Sequence, residues 1–133
     1  MTQQKTNLDV AKEIYRSIDA HAFDRAHALI SPRCQFCMSG TPLDLASWTA
    51  MGGMFMTAFP DGRHVFDLME AAGDYVFAHG AFKATHTQEF QGIPATGKTI
   101  DCSFTVVCKI IEGRLVEYFG DLNAAGLMQQ LTT

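Results

Sequence analysis

The feature that most limits the possible folds is a change of hydrophobic period after the turn Pro60-Asp61-Gly62. Beyond this turn, apolar and polar residues alternate, and a period of two is typical of half-buried β-strands. Short segments rich in glycine separate the alternating stretches, which predicts a meander of consecutive strands. The four predicted strands cover residues 63–71, 75–90, 98–111 and 114–121.

The N-terminal part of the chain has a helical period instead. Between Leu8 and Asp19 the apolar residues recur at steps of three and four, which predicts an amphipathic helix with Thr6 or Asn7 as its N-cap. The other predicted elements are a short helix over 23–30 that ends before Pro32, a short strand over 33–40, a helix over 41–58 capped by Thr41, and a final helical turn over 123–131. Helices followed by a strand meander indicate an α+β fold.

Length and charge narrow the class of protein. A chain of 133 residues fits one domain, so we expect a single unit over residues 1–133. The formal net charge of -4 offers no basic stripe for a phosphate backbone, so nucleic acid is not an expected partner. Residues 1–7 are polar and no apolar run reaches the length of a membrane span, so we expect no membrane association and a cytoplasmic location.

The four cysteines, Cys34, Cys37, Cys102 and Cys108, are predicted to be reduced thiols, because a core of this size needs no disulfide. Cys34 and Cys37 have the C-x-x-C spacing of a zinc half-site or a redox pair. However, the sequence has no second such pair to complete a zinc site, and these residues lie in a predicted strand, so packing in the core is the simpler interpretation. We therefore expect no metal and no cofactor.

Alternation assigns each strand residue to one face of the sheet. The even-numbered residues of 75–90 and 98–111 are small or apolar, which predicts that they face inward, with His86 at the rim of the concave side. The same count directs His64, Phe66 and Leu68 inward from the first long strand. The opposite face carries an apolar patch, which predicts a homodimer through that face. The residues of this patch are Tyr75, Phe77, Val107 and Phe119.

The C-terminal half contains a series of short motifs. Thr85-His86-Thr87 is followed by the loop Gly92–Lys98, with Phe59-Pro60-Asp61 upstream, and Glu112–Glu117 and Gly126–Leu131 downstream. In these motifs the chain resembles the SnoaL-like polyketide cyclase family of the nuclear transport factor 2-like superfamily. The resemblance implies a curved, mainly antiparallel sheet wrapped around N-terminal helices, a cone also called a cystatin-like roll, with an apolar cavity and a dimer interface on the outer face. Residues that would line the cavity here are Trp48, Met51, Phe55, Phe66, Phe104 and Tyr118.

The resemblance also locates the family's acid and base, which are an aspartate on the last strand and a histidine or aspartate on the strand before it. These positions correspond to Gly120 and Val106, and neither side chain transfers a proton. Asp121 would face the cavity only if a β-bulge at Gly120 turned it inward. His64 and His86 are the remaining inward-facing groups able to move protons near neutral pH, although either could simply satisfy a local hydrogen bond.

The sequence leaves two functions open. The first is a cofactor-free cyclase or isomerase that moves a proton next to a carbonyl, with His64 or Asp121 as the base and with His86 and Tyr118 as hydrogen-bond donors. The second is a ligand-binding or dimeric scaffold domain without catalysis, which Val106 and Gly120 favour. The expected ligand in both is a small, largely apolar molecule.

Overall fold

The computed structural model describes residues 6–133, which form four α-helices and six β-strands; residues 1–5 of the predicted domain lie outside the described residues. The helices are α1 (Asn7–Asp19), α2 (Phe23–His27), α3 (Leu45–Ala58) and α4 (Ala124–Thr132). The strands are β1 (Ile30–Met38), β2 (Thr41–Leu43), β3 (Arg63–Ala72), β4 (Tyr75–Thr85), β5 (Thr99–Ile111) and β6 (Arg114–Leu122). No helix of the described part is long and apolar enough to cross a bilayer.

The strands form one sheet in the order β2-β1-β6-β5-β4-β3. All neighbouring strands are antiparallel except β1 and β6, which are parallel. Helix α1 packs against β3, β4 and β5, while α3 packs against β1 and β2. The predicted α+β class, with helices against a mainly antiparallel sheet, is confirmed.

Side-chain caps set the starts of α1 and α3. Thr6 forms the predicted cap of α1, because its hydroxyl accepts from the Asp9 N–H at 3.1 Å and the Asp9 carboxylate accepts from the Thr6 N–H at 3.4 Å. The predicted Thr41 cap of α3 is wrong. Asp44 caps that helix by accepting from the Ser47 N–H at 2.8 Å, and residues 41–43 instead form β2 against β1.

Strand β3 contains a bulge that changes which side chains face inward. The register with β4 shifts between Phe66 and Leu68, so one extra residue reverses the alternation beyond that point. Leu68 is 50% exposed and Met69 packs against the core in its place. The inward orientation predicted for Leu68 is therefore wrong, whereas His64 and Phe66 precede the bulge and are partly buried.

Strand β4 ends at Thr85 rather than at residue 90 because the chain turns there toward the end of α3. The Asp61 carboxylate accepts hydrogen bonds from the Thr85 N–H and from the Thr85 hydroxyl, both at 2.7 Å. These bonds also lower the pKa of Asp61 below its ordinary value. The Thr87 N–H then donates to the Ala58 carbonyl, so the connection between β4 and β5 is joined to α3.

Candidate functional site

An apolar cavity of about 100 Å³ lies between the helices and the inner face of the sheet. Helices α1, α2 and α3 contribute to its walls, together with residues from β1, β3, β4, β5 and β6. The even-numbered residues of β4 and β5 are buried, as the alternation predicts. Site residues from the sequence that line the cavity are Trp48, Met51, Phe55, His64, Phe104, Tyr118 and Asp121.

His64 is held by a carboxylate at the end of α1. Its Nδ1 lies 2.6 Å from Asp19 Oδ1, and its backbone N–H donates to Asp19 Oδ2 at 3.0 Å. A carboxylate accepts only, so Nδ1 carries a proton and the neutral ring keeps Nε2 as an acceptor. The hydrogen bonds of His64 to described residues involve its Nδ1 and its backbone N–H and leave Nε2 without a partner among them, and the residue lines the cavity. An imidazole oriented in this way can accept a proton from a molecule in the cavity.

Aromatic side chains surround the His64 ring and limit its contact with water. Its centroid lies 4.9 Å from that of Tyr15, 5.2 Å from that of Phe82 and 5.4 Å from that of Phe104. The His64 side chain is only 17% exposed. Asp19 did not appear among the sequence-based candidates, because a lone acidic residue at a helix end gives no signal of a partner 45 residues away.

Two tyrosine hydroxyls meet inside the same cavity. Tyr15 Oη lies 2.8 Å from Tyr118 Oη, and both residues line the cavity. Burial is the main cause that raises the pKa of Tyr15 and of Tyr118, so both hydroxyls stay protonated over the physiological range. The neighbouring hydroxyl further raises the Tyr15 pKa, and Cys108 further raises that of Tyr118. The sequence reasoning named Tyr118 but missed Tyr15, whose helical spacing indicated only core packing.

The β-bulge at Gly120 that would turn Asp121 inward is absent from the described strands. Gly120 pairs with Val106 and Asp121 pairs with Thr105 in regular register, and the irregularity between β5 and β6 lies beside Lys109 instead. Asp121 borders the cavity, but it is exposed and its Oδ1 accepts from the Ser39 hydroxyl at 2.9 Å. Regular alternation therefore directs this carboxylate toward Ser39 rather than toward the His64 ring.

Other side chains fill the space that a side chain at position 120 would need. A Cβ atom on Gly120 would lie 2.6 Å from Met38 Sδ and 2.9 Å from Tyr118 Cε1. Val106, at the position to which the resemblance assigns a histidine or aspartate, is buried and gives the cavity an apolar wall. The two positions to which the resemblance assigns the family's acid and base are therefore glycine and valine here, and Met38 and Tyr118 occupy the space beside Gly120.

Two residues predicted for the site lie elsewhere. His86 is fully buried away from the cavity lining, where its Nδ1 accepts from the Thr96 N–H at 3.2 Å and its ring packs 5.4 Å from that of Phe59. It is therefore not at the cavity rim, because the chain has left β4 by this point. Phe66 packs behind the lining, with its ring 5.0 Å from that of Tyr15.

None of the described residues that line the cavity is a cysteine. The four cysteines are free thiols in the structure, and burial raises the pKa of Cys34 and Cys108 to about 12. Within residues 6–133, no group of three or more His, Cys, Asp or Glu side chains is placed to hold a metal ion. The lining residues with polar side-chain atoms are His64, Tyr15, Tyr118, Trp48, whose indole N–H is a donor, and Asp121 at the border.

Comparison with known proteins agrees with this architecture. The sequence model of the family described as SnoaL-like polyketide cyclase matches residues 9–131. IdmH from Streptomyces antibioticus, a candidate polyketide cyclase, has 22% identity and a TM-score of 0.89, with coverage of 97% of this chain and 100% of that one. AclR from Streptomyces galilaeus, a candidate hydroxylase, has 20% identity and a TM-score of 0.88, with coverage of 94% and 83%.

A third similar structure is a candidate polyketide cyclase from Acidithiobacillus ferrooxidans, with 23% identity, a TM-score of 0.79 and coverage of 98% of this chain and 97% of that one. At these identities the similarity shows a shared fold. A search among curated proteins finds no match. Because the family model spans nearly all of the sequence, the chain belongs to the SnoaL-like polyketide cyclase family.

Proposed function

We propose that this protein is a cofactor-free cyclase or isomerase that transfers a proton next to a carbonyl of a small, largely apolar molecule. The observation that carries the proposal is the His64–Asp19 pair, in which Asp19 holds Nδ1 of an imidazole that lines an apolar cavity. Carboxylate-oriented histidines are effective general bases. The family's description as polyketide cyclases supports a ligand with enolisable carbonyl groups.

In the proposed reaction, Nε2 of His64 removes a proton from the carbon next to the carbonyl. The C–H electron pair moves to form the enolate, while Asp19 stabilises the imidazolium from 2.6 Å. The Tyr118 hydroxyl donates a hydrogen bond to the enolate oxygen. Nε2 then returns the proton, either to a different carbon in an isomerisation or to the alkoxide formed when the enolate carbon attacks a second carbonyl and closes a ring.

Asp121 is a weaker candidate for the base than His64, because its carboxylate already accepts from Ser39 and is exposed to water. The second candidate function is ligand binding without catalysis. Its specific support is position 120, where Met38 and Tyr118 leave no room for the family's acid or base. The two functions differ in one measurable property, which is proton exchange at a bound ligand.

Deuterium exchange at the methyl group of acetophenone, followed by NMR in D₂O, tests the proposal. We expect His64→Ala to lower the protein-catalysed exchange rate by about 10²- to 10⁴-fold, the usual contribution of a general base. Asp19→Asn should lower it less, because the amide keeps the shape but loses the charge. Binding without any exchange above that of His64→Ala would instead support the non-catalytic function.

The fold supplies a matched control on the outer face. His79 Nδ1 lies 2.8 Å from Asp67 Oδ1, so the chain has a second His–Asp pair, but this pair is exposed and does not line the cavity. His79→Ala and Asp67→Asn should leave the exchange rate unchanged. If His79→Ala and His64→Ala lowered the exchange rate equally, the exchange would be catalysed by histidine side chains in general and not by the cavity.

A further inference from the structure

The tyrosine pair provides a hydrogen-bond donor that no other residue within 6–133 uses. A hydroxyl has one proton and two lone pairs, so two hydroxyls 2.8 Å apart consume one proton in their mutual bond and retain the other. Tyr15 comes from α1 and Tyr118 from β6, so the two oxygens meet only in the folded chain. Both residues line the cavity, and the remaining proton is therefore available to an oxygen atom of a ligand.

The charges around the cavity favour a neutral ligand. Among the described residues that line it, none is a lysine or an arginine, and Asp121 is at its border. The Asp19 carboxylate lies directly behind His64. Burying a carboxylate without a cationic partner is strongly unfavourable, whereas a carbonyl needs only one hydrogen-bond donor. The cavity should therefore admit ketones and esters and exclude their carboxylic acid analogues at neutral pH.

The volume of the cavity limits the size of the ligand. At about 100 Å³ it is smaller than the roughly 150 Å³ of an apolar protein cavity that binds benzene, so a single ring requires only a modest expansion. Ligands of drug size occupy pockets of about 300 to 1,000 Å³. Phe23 and Gly52 both line the cavity, and a Cβ atom on Gly52 would lie 3.3 Å from the Phe23 ring, so little space is left between α2 and α3 at this point. A molecule with several fused rings does not fit this shape.

We propose that the Tyr15–Tyr118 pair binds the carbonyl oxygen of the ligand, and that the site selects neutral, enolisable ketones or esters about one ring in size. This inference rests on the proposed function for the position of the ligand beside His64. The pair binds the oxygen before proton transfer and stabilises its developing negative charge during it, because donors already in place need no reorganisation.

The test compares two probes of similar size, acetophenone and cumene. Cumene has a methyl group and a hydrogen atom in place of the carbonyl oxygen of acetophenone. Their dissociation constants are measured by NMR titration for each protein variant, and the ratio of the two constants is the readout. A general loosening of the fold weakens both probes and leaves the ratio unchanged. A third probe, benzoate, tests the requirement for a neutral ligand.

Relative to the unmodified protein, Tyr15→Phe/Tyr118→Phe should weaken acetophenone binding about three- to tenfold and leave cumene binding within about twofold, as expected for the loss of one net hydrogen bond. Each single variant keeps one hydroxyl, so it should give a smaller change, and it serves as the test if the double variant does not fold. Tyr75→Phe on the outer face is the matched control and should not change the ratio.

An unchanged ratio in the double variant, or benzoate binding as tight as that of acetophenone, would overturn the inference. His64→Ala separates this result from the proposed function, because it should lower the deuterium exchange rate by about 10²- to 10⁴-fold without changing the ratio of the two dissociation constants. A changed ratio without exchange leaves the tyrosine pair as a binding element in a non-catalytic protein. Exchange that depends on His64, together with an unchanged ratio, leaves the proposed function and removes the role of the pair.

Discussion

Replacing Gly120 by alanine tests whether Met38 and Tyr118 occupy the space beside this position. The new Cβ would lie 2.6 Å from Met38 Sδ and 2.9 Å from Tyr118 Cε1, closer than carbon atoms approach without a shift. Overpacking of this kind costs about 1 to 3 kcal/mol. The flexible end of Met38 can move, so we expect a loss of about 1 to 2 kcal/mol in the free energy of unfolding.

The backbone at Gly120 is not in the left-handed region, so alanine introduces no strain of its own. Where alanine fits, it stabilises a protein by about 0.4 to 1 kcal/mol relative to glycine, because it restricts the unfolded chain. In a Met38→Ala background the clash with sulfur disappears and only the 2.9 Å contact with Tyr118 Cε1 remains, so Gly120→Ala should cost less than in the unmodified protein. The coupling between the two substitutions should therefore reach about 1 kcal/mol, as found for residues in contact.

Urea unfolding followed by fluorescence of Trp48, the single tryptophan, measures all four proteins of this cycle. Gly53→Ala on α3 is the control, because a Cβ there meets nothing within 4 Å and alanine should raise stability by up to about 1 kcal/mol. The same loss for Gly120→Ala with and without Met38 would refute the reasoning, since the cost would then not arise from this contact.

Three further predictions concern the surface and the thiols. Phe77 and Phe119 are 42% and 49% exposed on the outer face of the sheet, so we predict a homodimer through this face. Sedimentation should give twice the mass of one chain for the unmodified protein and the mass of one chain for Phe77→Lys. In the folded protein, Cys37 should react with a thiol reagent well before the buried Cys34 and Cys108, while urea should expose four thiols in total. Because burial raises the pKa of Cys34 and Cys108 to about 12, their contribution to stability is complete below about pH 8.5 and is lost as pH rises toward 12. Unfolding midpoints in urea should fall over this range, and less steeply in Cys108→Ala; a curve with the same slope for both proteins would argue against this origin.

Local patterns were enough to predict most elements of the fold. Strand β5, predicted over 98–111, covers Thr99–Ile111, and its buried even-numbered residues match the alternation, because each side chain in a strand follows from its position alone. The cap at Thr6 is likewise local, since donor and acceptor are three residues apart. The inward orientation of His64 could also be predicted locally, because it follows from the alternation of side chains along the regular part of β3 before the bulge.

Features that depend on a single extra residue escaped this reasoning. The bulge in β3 turns Leu68 outward, and the pattern of apolar residues on either side gives no sign of it. At Gly120 the sequence left the question open, because glycine permits a bulge without requiring one, and the strand there is regular. His86 was misplaced for a related reason, since β4 ends one residue earlier, where Asp61 binds Thr85.

The sequence by itself determined which segments are strands or helices and which faces are apolar, because these properties depend on neighbours along the chain. Only the tertiary structure decided which polar groups meet in the cavity. Asp19 reaches His64 across 45 positions, and the Tyr15 hydroxyl reaches that of Tyr118 across 103. These contacts form when α1 packs onto the sheet, and no period or spacing in the sequence encodes the distance between such atoms.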